Sequence, residues 1–119
     1  MIERIHPAGA TARGPYSPAV RAGDTLYISG QVPGQPGDVR DETRQVLTKL
    51  QSILEACGAS LADVVRCGVF LTDAADFKPM NEVYAEFFGD ARPARTTVIV
   101  AALPSLGAKV EIDAIAYKP

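Results

Sequence analysis

"PARTTVIV", residues 93–100, decides how this chain folds, because it sets a long cation at the mouth of a β-branched run. The run Thr96-Thr97-Val98-Ile99-Val100 predicts a buried strand. Arg95 at its start is either a surface charge or a clamp for an anion. A strand alternates its side chains, so Arg95, Thr97, Ile99 and Ala101 share one side, and Thr96, Val98 and Val100 the other. The final strand-like run, Lys109–Tyr117, alternates too. Val110, Ile112, Ala114 and Ala116 are uniformly apolar, whereas Glu111, Asp113, Ile115 and Tyr117 are mixed. Matching the two runs turns Thr96, Val98 and Val100 toward the core and puts Arg95 on the mixed face with Glu111. On spacing alone the two residues make either a cross-strand surface ion pair, worth about 0–1 kcal/mol, or the wall of a pocket. Both readings stay open at this point.

Working outward, the elements fall into a simple order. Residues 3–6 form a short first strand ending at Pro7, and 8–18 is a loop rich in small residues. Ala19–Ala22 and Thr25–Ser29 are strands joined by the two-residue turn Gly23-Asp24. "GQVPGQPGD", residues 30–38, is a loop. Asp38 or Asp41 caps a helix running to Cys57, whose apolar positions Val46, Leu47, Leu50, Ile53, Leu54 and Cys57 lie on one face, and Gly58 stops it. Ser60 with Asp63 caps a single turn before a strand over Val64–Thr72. Asp76 caps a second helix with Pro79 in its first turn and an apolar face of Phe77, Met80, Val83, Tyr84, Phe87 and Phe88, ended by Gly89. The order is three strands, helix, strand, helix and two strands. It predicts one α+β domain over residues 1–119: a mixed sheet of about six strands with both helices on one face. The other face of such a sheet is left for a partner copy to cover.

Bulk properties exclude several functions. The 119 residues fit one domain, 47% hydrophobic and 22% charged, with a net charge of −2. With no basic block, binding to nucleic acid through a charged face is disfavoured. No apolar run reaches the ~18 residues of a membrane helix, and "MIERIHPAG" lacks a signal-peptide apolar run, so a cytoplasmic protein is expected. Cys57 and Cys67 lack metal spacing and read as free thiols. His6 is the only histidine, so neither a zinc site nor a histidine-based triad is expected. The glycines of "GQPGD" fit neither a P-loop nor a dinucleotide fingerprint, and no cofactor site is found.

Three further polar positions stand out. "YISGQ", residues 27–31, ends a strand in Ser29-Gly30, which can aim a hydroxyl and a backbone N–H into a cleft or merely terminate the strand. Tyr16 in "GPYSP" offers a ring and a hydroxyl on a turn, where turn packing explains it equally well. Asn81 lies in the first half of the second helix, either solvated or facing a pocket.

These pieces together resemble the RidA/YjgF family of reactive-intermediate deaminases. "GPYSPAV" looks like the family's Gly-Pro-Tyr segment and "LYISGQVP" like its Ser-Gly-Gln strand end. "FKPMNEVYAEFF" is similar to its Asn-x-x-Tyr-x-x-Phe-Phe helix, "RPARTTV" to its Pro-Ala-Arg signature, and "VEIDAIA" to its C-terminal strand. Each match is weak alone, but five in order span nearly the whole chain. The resemblance implies a fold like that of the small trimeric chorismate mutases, and a homotrimer with clefts between neighbouring subunits. It also implies cofactor-independent hydrolysis of 2-imino acids, tautomers of enamines released by pyridoxal-phosphate enzymes. Carried over residue by residue, the carboxylate-binding arginine falls on Arg95 and the water-contacting glutamate on Glu111. Pocket residues fall on Tyr16, Ser29 and Asn81, with Gly30 beside Ser29. Many imine-hydrolysing members have cysteine two residues after the arginine. Here it is Thr97, expected to offer its main-chain carbonyl. The segments after Gln31 and between Phe88 and Pro93 are shorter than the family's, which bears on substrate preference. The rival readings are a non-catalytic trimer that binds a small carboxylate, and a family deaminase with another substrate. An arginine beside Glu111 would lower its pKa, so burial must offset that if Glu111 is to be a base.

Overall fold

The two-residue turn at Gly23-Asp24 folds the chain back on itself, and Gly23 takes the left-handed φ of +61° that this turn needs. The computed structural model describes residues 1–10 and 12–119. The strands are β1 (Ile2–Ile5), β2 (Ala19–Ala22), β3 (Thr25–Gln31), β4 (Val64–Leu71), β5 (Ala94–Ile99) and β6 (Val110–Tyr117). The helices are α1 (Val39–Ala56), between β3 and β4, and α2 (Phe77–Phe88), between β4 and β5. The sheet order is β1-β2-β3-β6-β4-β5, antiparallel except for the parallel pair β4–β5 that α2 joins as a crossover. This is the α+β fold the sequence predicts.

The caps follow from local chemistry. The Asp38 carboxylate accepts from Asp41 N at 2.9 Å and starts α1, and Gly58, at φ +78°, follows its last turn. Asp76 occupies the N-cap of α2 but makes no side-chain cap; Asp73 instead accepts from Ala75 N at 2.9 Å in the 3₁₀ turn just before it. Arg92, at φ 38°, is the one non-glycine residue with positive φ among the described residues, and it turns the short connection into β5.

Both helices pack on one face of the sheet. Leu47, Leu50 and Leu54 of α1 and Met80 and Val83 of α2 are buried there, as are Leu26, Val69, Leu71, Val110 and Ile112 from the strands. Each such side chain contributes roughly 1.5–3 kcal/mol on leaving water. Glu42 is fully buried in the first turns of α1. Its carboxylate accepts from Lys109 N at 2.8 Å and Gly37 N at 3.3 Å, with Lys109 Nζ at 3.3 Å. It thereby ties the loop before α1 to the start of β6.

The phase of β5 differs from the expectation. Pairing aligns Arg95 with Cys67 and Thr97 with Val69, and Val69 in turn aligns with Ile112. Arg95 and Thr97 therefore lie on the helix-bearing face. Thr96 and Val98 lie on the open face, where Glu111 aligns with Phe70 and Phe70 with Val98. β5 is an edge strand, so its β-branched run is not buried: Val98 is 39% and Ile99 47% exposed. Nor are β5 and β6 neighbours, since β4 runs between them. A cross-strand ion pair between Arg95 and Glu111 is thus ruled out within one chain.

Candidate active site

The residues singled out in the sequence gather into two groups. The first surrounds Arg95. Its guanidinium carbon stands 4.7 Å from the Tyr84 ring centroid and 5.7 Å from that of Phe77. Stacking of this kind stabilises a cation by roughly 0.5–1 kcal/mol where exposed and fixes the plane of its fork. Phe77, Asn81 and Tyr84 follow at spacings of four and three along α2, so they form one stripe with the half-exposed Asn81 between the rings. Tyr84 is itself held by Phe88, with ring centroids 4.6 Å apart. Burial, together with the neighbouring Cys67 thiol, keeps Tyr84 protonated by pushing its pKa far up. Its hydroxyl has no hydrogen-bond partner among the described residues.

Among the described residues the ion pairs are Arg40–Glu82, Arg44–Glu86, Lys109–Glu42 and Lys118–Asp63. Arg95 is in none of them. Its guanidinium rests on aromatic faces with its donors unclaimed by a carboxylate, which is what an anion clamp requires.

The second group lies on the open face. A register shift in β3 between Ile28 and Gln31 displaces Ser29 and Gly30 from the regular ladder. Gly30 lies directly against Glu111: a Cβ built there would sit 2.9 Å from Glu111 Cδ. The Ser29 hydroxyl donates to Ser17 O at 2.7 Å, which leaves its lone pairs free to accept. Tyr16, 48% exposed, accepts from Arg13 N through its hydroxyl at 3.3 Å. Tyr16, Ser29, Gly30 and Glu111 line a single cleft of about 500 Å³. A larger recess of about 750 Å³ lies between residues 7–10, Arg13 and α1, but among the described residues no carboxylate lines it, nor do Arg95 or Glu111.

The electrostatics of Glu111 differ from the expectation too. Burial is the main influence and the neighbouring Asp113 carboxylate the second, and both push its pKa up. Within the single chain its own Arg95 does not offset this, because it lies across the sheet. Asp113 is held in place by Gly68 N, which donates to it at 2.8 Å. A carboxylate raised in this way is a better proton acceptor at neutral pH than a free one.

His6 contacts only the Ser17 hydroxyl, with Nε2 at 3.4 Å. Sequence reasoning missed three features. Phe77 reads as a core position but is 43% exposed, and Tyr84, which is core as expected, also carries the Arg95 guanidinium; their seven-residue spacing on α2 is the signal. Asp113 read only as part of a mixed face. Arg13 in "ARGPY" is the third, and its signal in the sequence is a long cation among small loop residues.

Comparisons with known proteins complete the description. The model of the family described as Endoribonuclease L-PSP matches residues 7–118. A RutC family protein of Pyrococcus horikoshii is 52% identical over 112 residues, 88% of each chain. A 2-iminobutanoate/2-iminopropanoate deaminase of Bos taurus is 46% identical over 114 residues, 90% of this chain and 82% of that one. The solved structure of the yeast protein YEO7 superposes with a TM-score of 0.96 and 35% identity, over the whole of both chains. No helix among the described residues is long and apolar enough to cross a membrane.

Proposed function

The chain belongs to the YjgF/RidA family, and on that premise we propose that it hydrolyses 2-imino acids to 2-keto acids and ammonia, as a homotrimer with its sites between subunits. The observation that carries the reading is the pairing of an unpartnered guanidinium with a carboxylate of raised pKa, on opposite faces of the sheet. Neither half suffices alone. Two copies must meet for Arg95 of one to face Glu111 of the other. The open face, with Tyr27 49% and Val98 39% exposed, supplies an apolar surface for that meeting.

In this mechanism Arg95 grips the substrate carboxylate with its fork, each charge-assisted bond contributing roughly 1.5–3 kcal/mol. Phe77 and Tyr84 hold the fork in one plane, Asn81 lies beside it, and Thr97 offers its main chain at the sheet edge. The protonated imine then sits against Ser29 and Tyr16, with its carbon facing a water held by Glu111. Glu111 takes a proton from the water as the oxygen bonds to the carbon. It passes that proton to the nitrogen of the tetrahedral intermediate. The C–N bond breaks, ammonia leaves, and the hydroxyl proton is released as the ketone forms. Much of the acceleration is positional, because the iminium is already electrophilic.

The test generates 2-imino acids with an amino-acid oxidase and traps the unhydrolysed remainder with semicarbazide. The protein should lower trapping, and Arg95→Ala should not. Full trapping with a folded wild-type protein would leave a carboxylate-binding protein in place of an enzyme.

A further inference from the structure

Arg13 has no role in the mechanism above, yet it lines the same cleft as Glu111 and Ser29. Its backbone N–H donates to the Tyr16 hydroxyl at 3.3 Å, which curls the loop inward. Its Nη1 donates to Ser105 Oγ at 3.1 Å, from a loop across the cleft. A guanidinium carries five N–H donors in a rigid fork, and a single serine occupies one of them. Arg13 is in no ion pair among the described residues.

A second cation adds to it. Lys49 shares with Arg13 the recess behind Gly30 and Gln31, and its ammonium donates to Val32 O at 2.7 Å. Burial first, and the Arg13 charge second, disfavour the charged form of Lys49. Two like charges held close with no carboxylate between them repel, and a bound anion relieves that repulsion. The lining of the cleft that holds Arg13 and Glu111 also includes the apolar Val32 and Pro104, suited to a short methylene chain.

Resting on the imine-hydrolase reading, we infer that Arg13 selects the substrate by binding a second carboxylate, so that the preferred substrates are 2-imino dicarboxylic acids. The α-carboxylate goes to Arg95, the iminium to Ser29 and Glu111, and the side-chain carboxylate to Arg13. Arg13 is then a specificity residue, distant from the bond that breaks.

The experiment compares 2-iminoglutarate with 2-iminobutanoate, each made in situ by an oxidase, in wild type, Arg13→Gln and Arg13→Glu. The expected result is a wild-type preference for the acidic imine. In Arg13→Gln the ratio of kcat/KM, acidic over aliphatic, should fall about 10- to 100-fold, the size of one lost charge-assisted pair, and mainly through KM. Arg13→Glu should lower it further. Equal ratios in all three proteins would overturn the assignment while leaving the hydrolase reading intact. If neither imine is hydrolysed, calorimetry with 2-oxoglutarate and 2-oxobutanoate decides the point separately. An Arg13-dependent preference for the dicarboxylate supports the site, and indifference to Arg13 overturns it.

Discussion

Arg95 and Glu111 stand on opposite faces of one sheet, their strands separated by β4. A single chain therefore cannot bring its own clamp to its own carboxylate. If the two residues share one site, as proposed, assembly is a condition of activity, and that can be tested without a structure of the complex.

Arg95→Ala and Glu111→Gln should each be inactive as pure proteins. Co-expressed with different tags and isolated as mixed trimers, they should regain activity. Every mixed trimer contains one interface of three with both residues intact, so the isolated mixed trimers should return about a third of the wild-type rate. Activity that stays absent in verified mixed trimers would show that the two residues do not meet across an interface, and activity in either pure variant would show that its residue is dispensable.

Gly30 bears on the same carboxylate. Because a Cβ at this position would sit 2.9 Å from Glu111 Cδ, Gly30→Ala must move the glutamate or the bulge. A displacement near 1 Å at a reacting group costs about 100-fold in rate. The expected outcome is a fall in kcat of that order with the trimer preserved by size-exclusion chromatography. Wild-type kcat in Gly30→Ala would detach Glu111 from the chemistry.

The raised pKa of Glu111 makes a paired prediction for rate and stability. For rate, kcat/KM should decline on the acid side as Glu111 takes up its proton, with burial and Asp113 raising the midpoint and Arg95 of the partner subunit lowering it. For stability, a carboxyl whose folded pKa is raised favours the fold most below its unfolded pKa, and this contribution is lost as pH rises through the folded pKa. Glu111→Gln should consequently abolish turnover yet raise Tm at neutral pH, with the gain vanishing in acid. Melting curves at the two pH values check this; a lower Tm at neutral pH contradicts it.

Glu42 predicts the opposite balance. It is fully buried and accepts from Lys109 N and Gly37 N. Glu42→Ala leaves those two backbone donors without their acceptor, and should cost about 2–4 kcal/mol, read as a lower urea midpoint. A change under about 1 kcal/mol would mean that water replaces the carboxylate easily.

What the sequence made legible, and what it hid, follows from the kind of signal each element carries. The stripe of α1 from Val46 to Leu54 and the apolar alternation of β6 are unambiguous, because each has one face without a polar residue over that stretch. β5 has no such face. Arg95, Thr97 and Ile99 on one side are as mixed as Thr96 and Val98 on the other, so alternation shows two sides without saying which is inner. Only the parallel pairing with β4 sets its phase, and pairing is a non-local fact. Phe77 was misread for a related reason. An aromatic residue at helical spacing looks like core, but here it is 43% exposed and serves as a floor beneath a cation. The members of the open-face group were visible one by one as polar residues near turns. Their convergence depended on the bulge in β3, which spacing alone does not announce.

The crossover from β4 through α2 to β5 has a consequence for the order in which the two halves are built. Arg95 meets Phe77 and Tyr84, contributed by the helix immediately upstream, so its platform closes over a short stretch of chain. Glu111 meets Ser29 and Gly30 only after most of the chain has been threaded between them, a much longer loop closure. Arg95, the proposed anion clamp, belongs to the local, early-closing part of the molecule, and Glu111, the proposed proton acceptor, to the late-closing part. A partly opened protein would accordingly keep its grip on a carboxylate after it had lost the means to act on it.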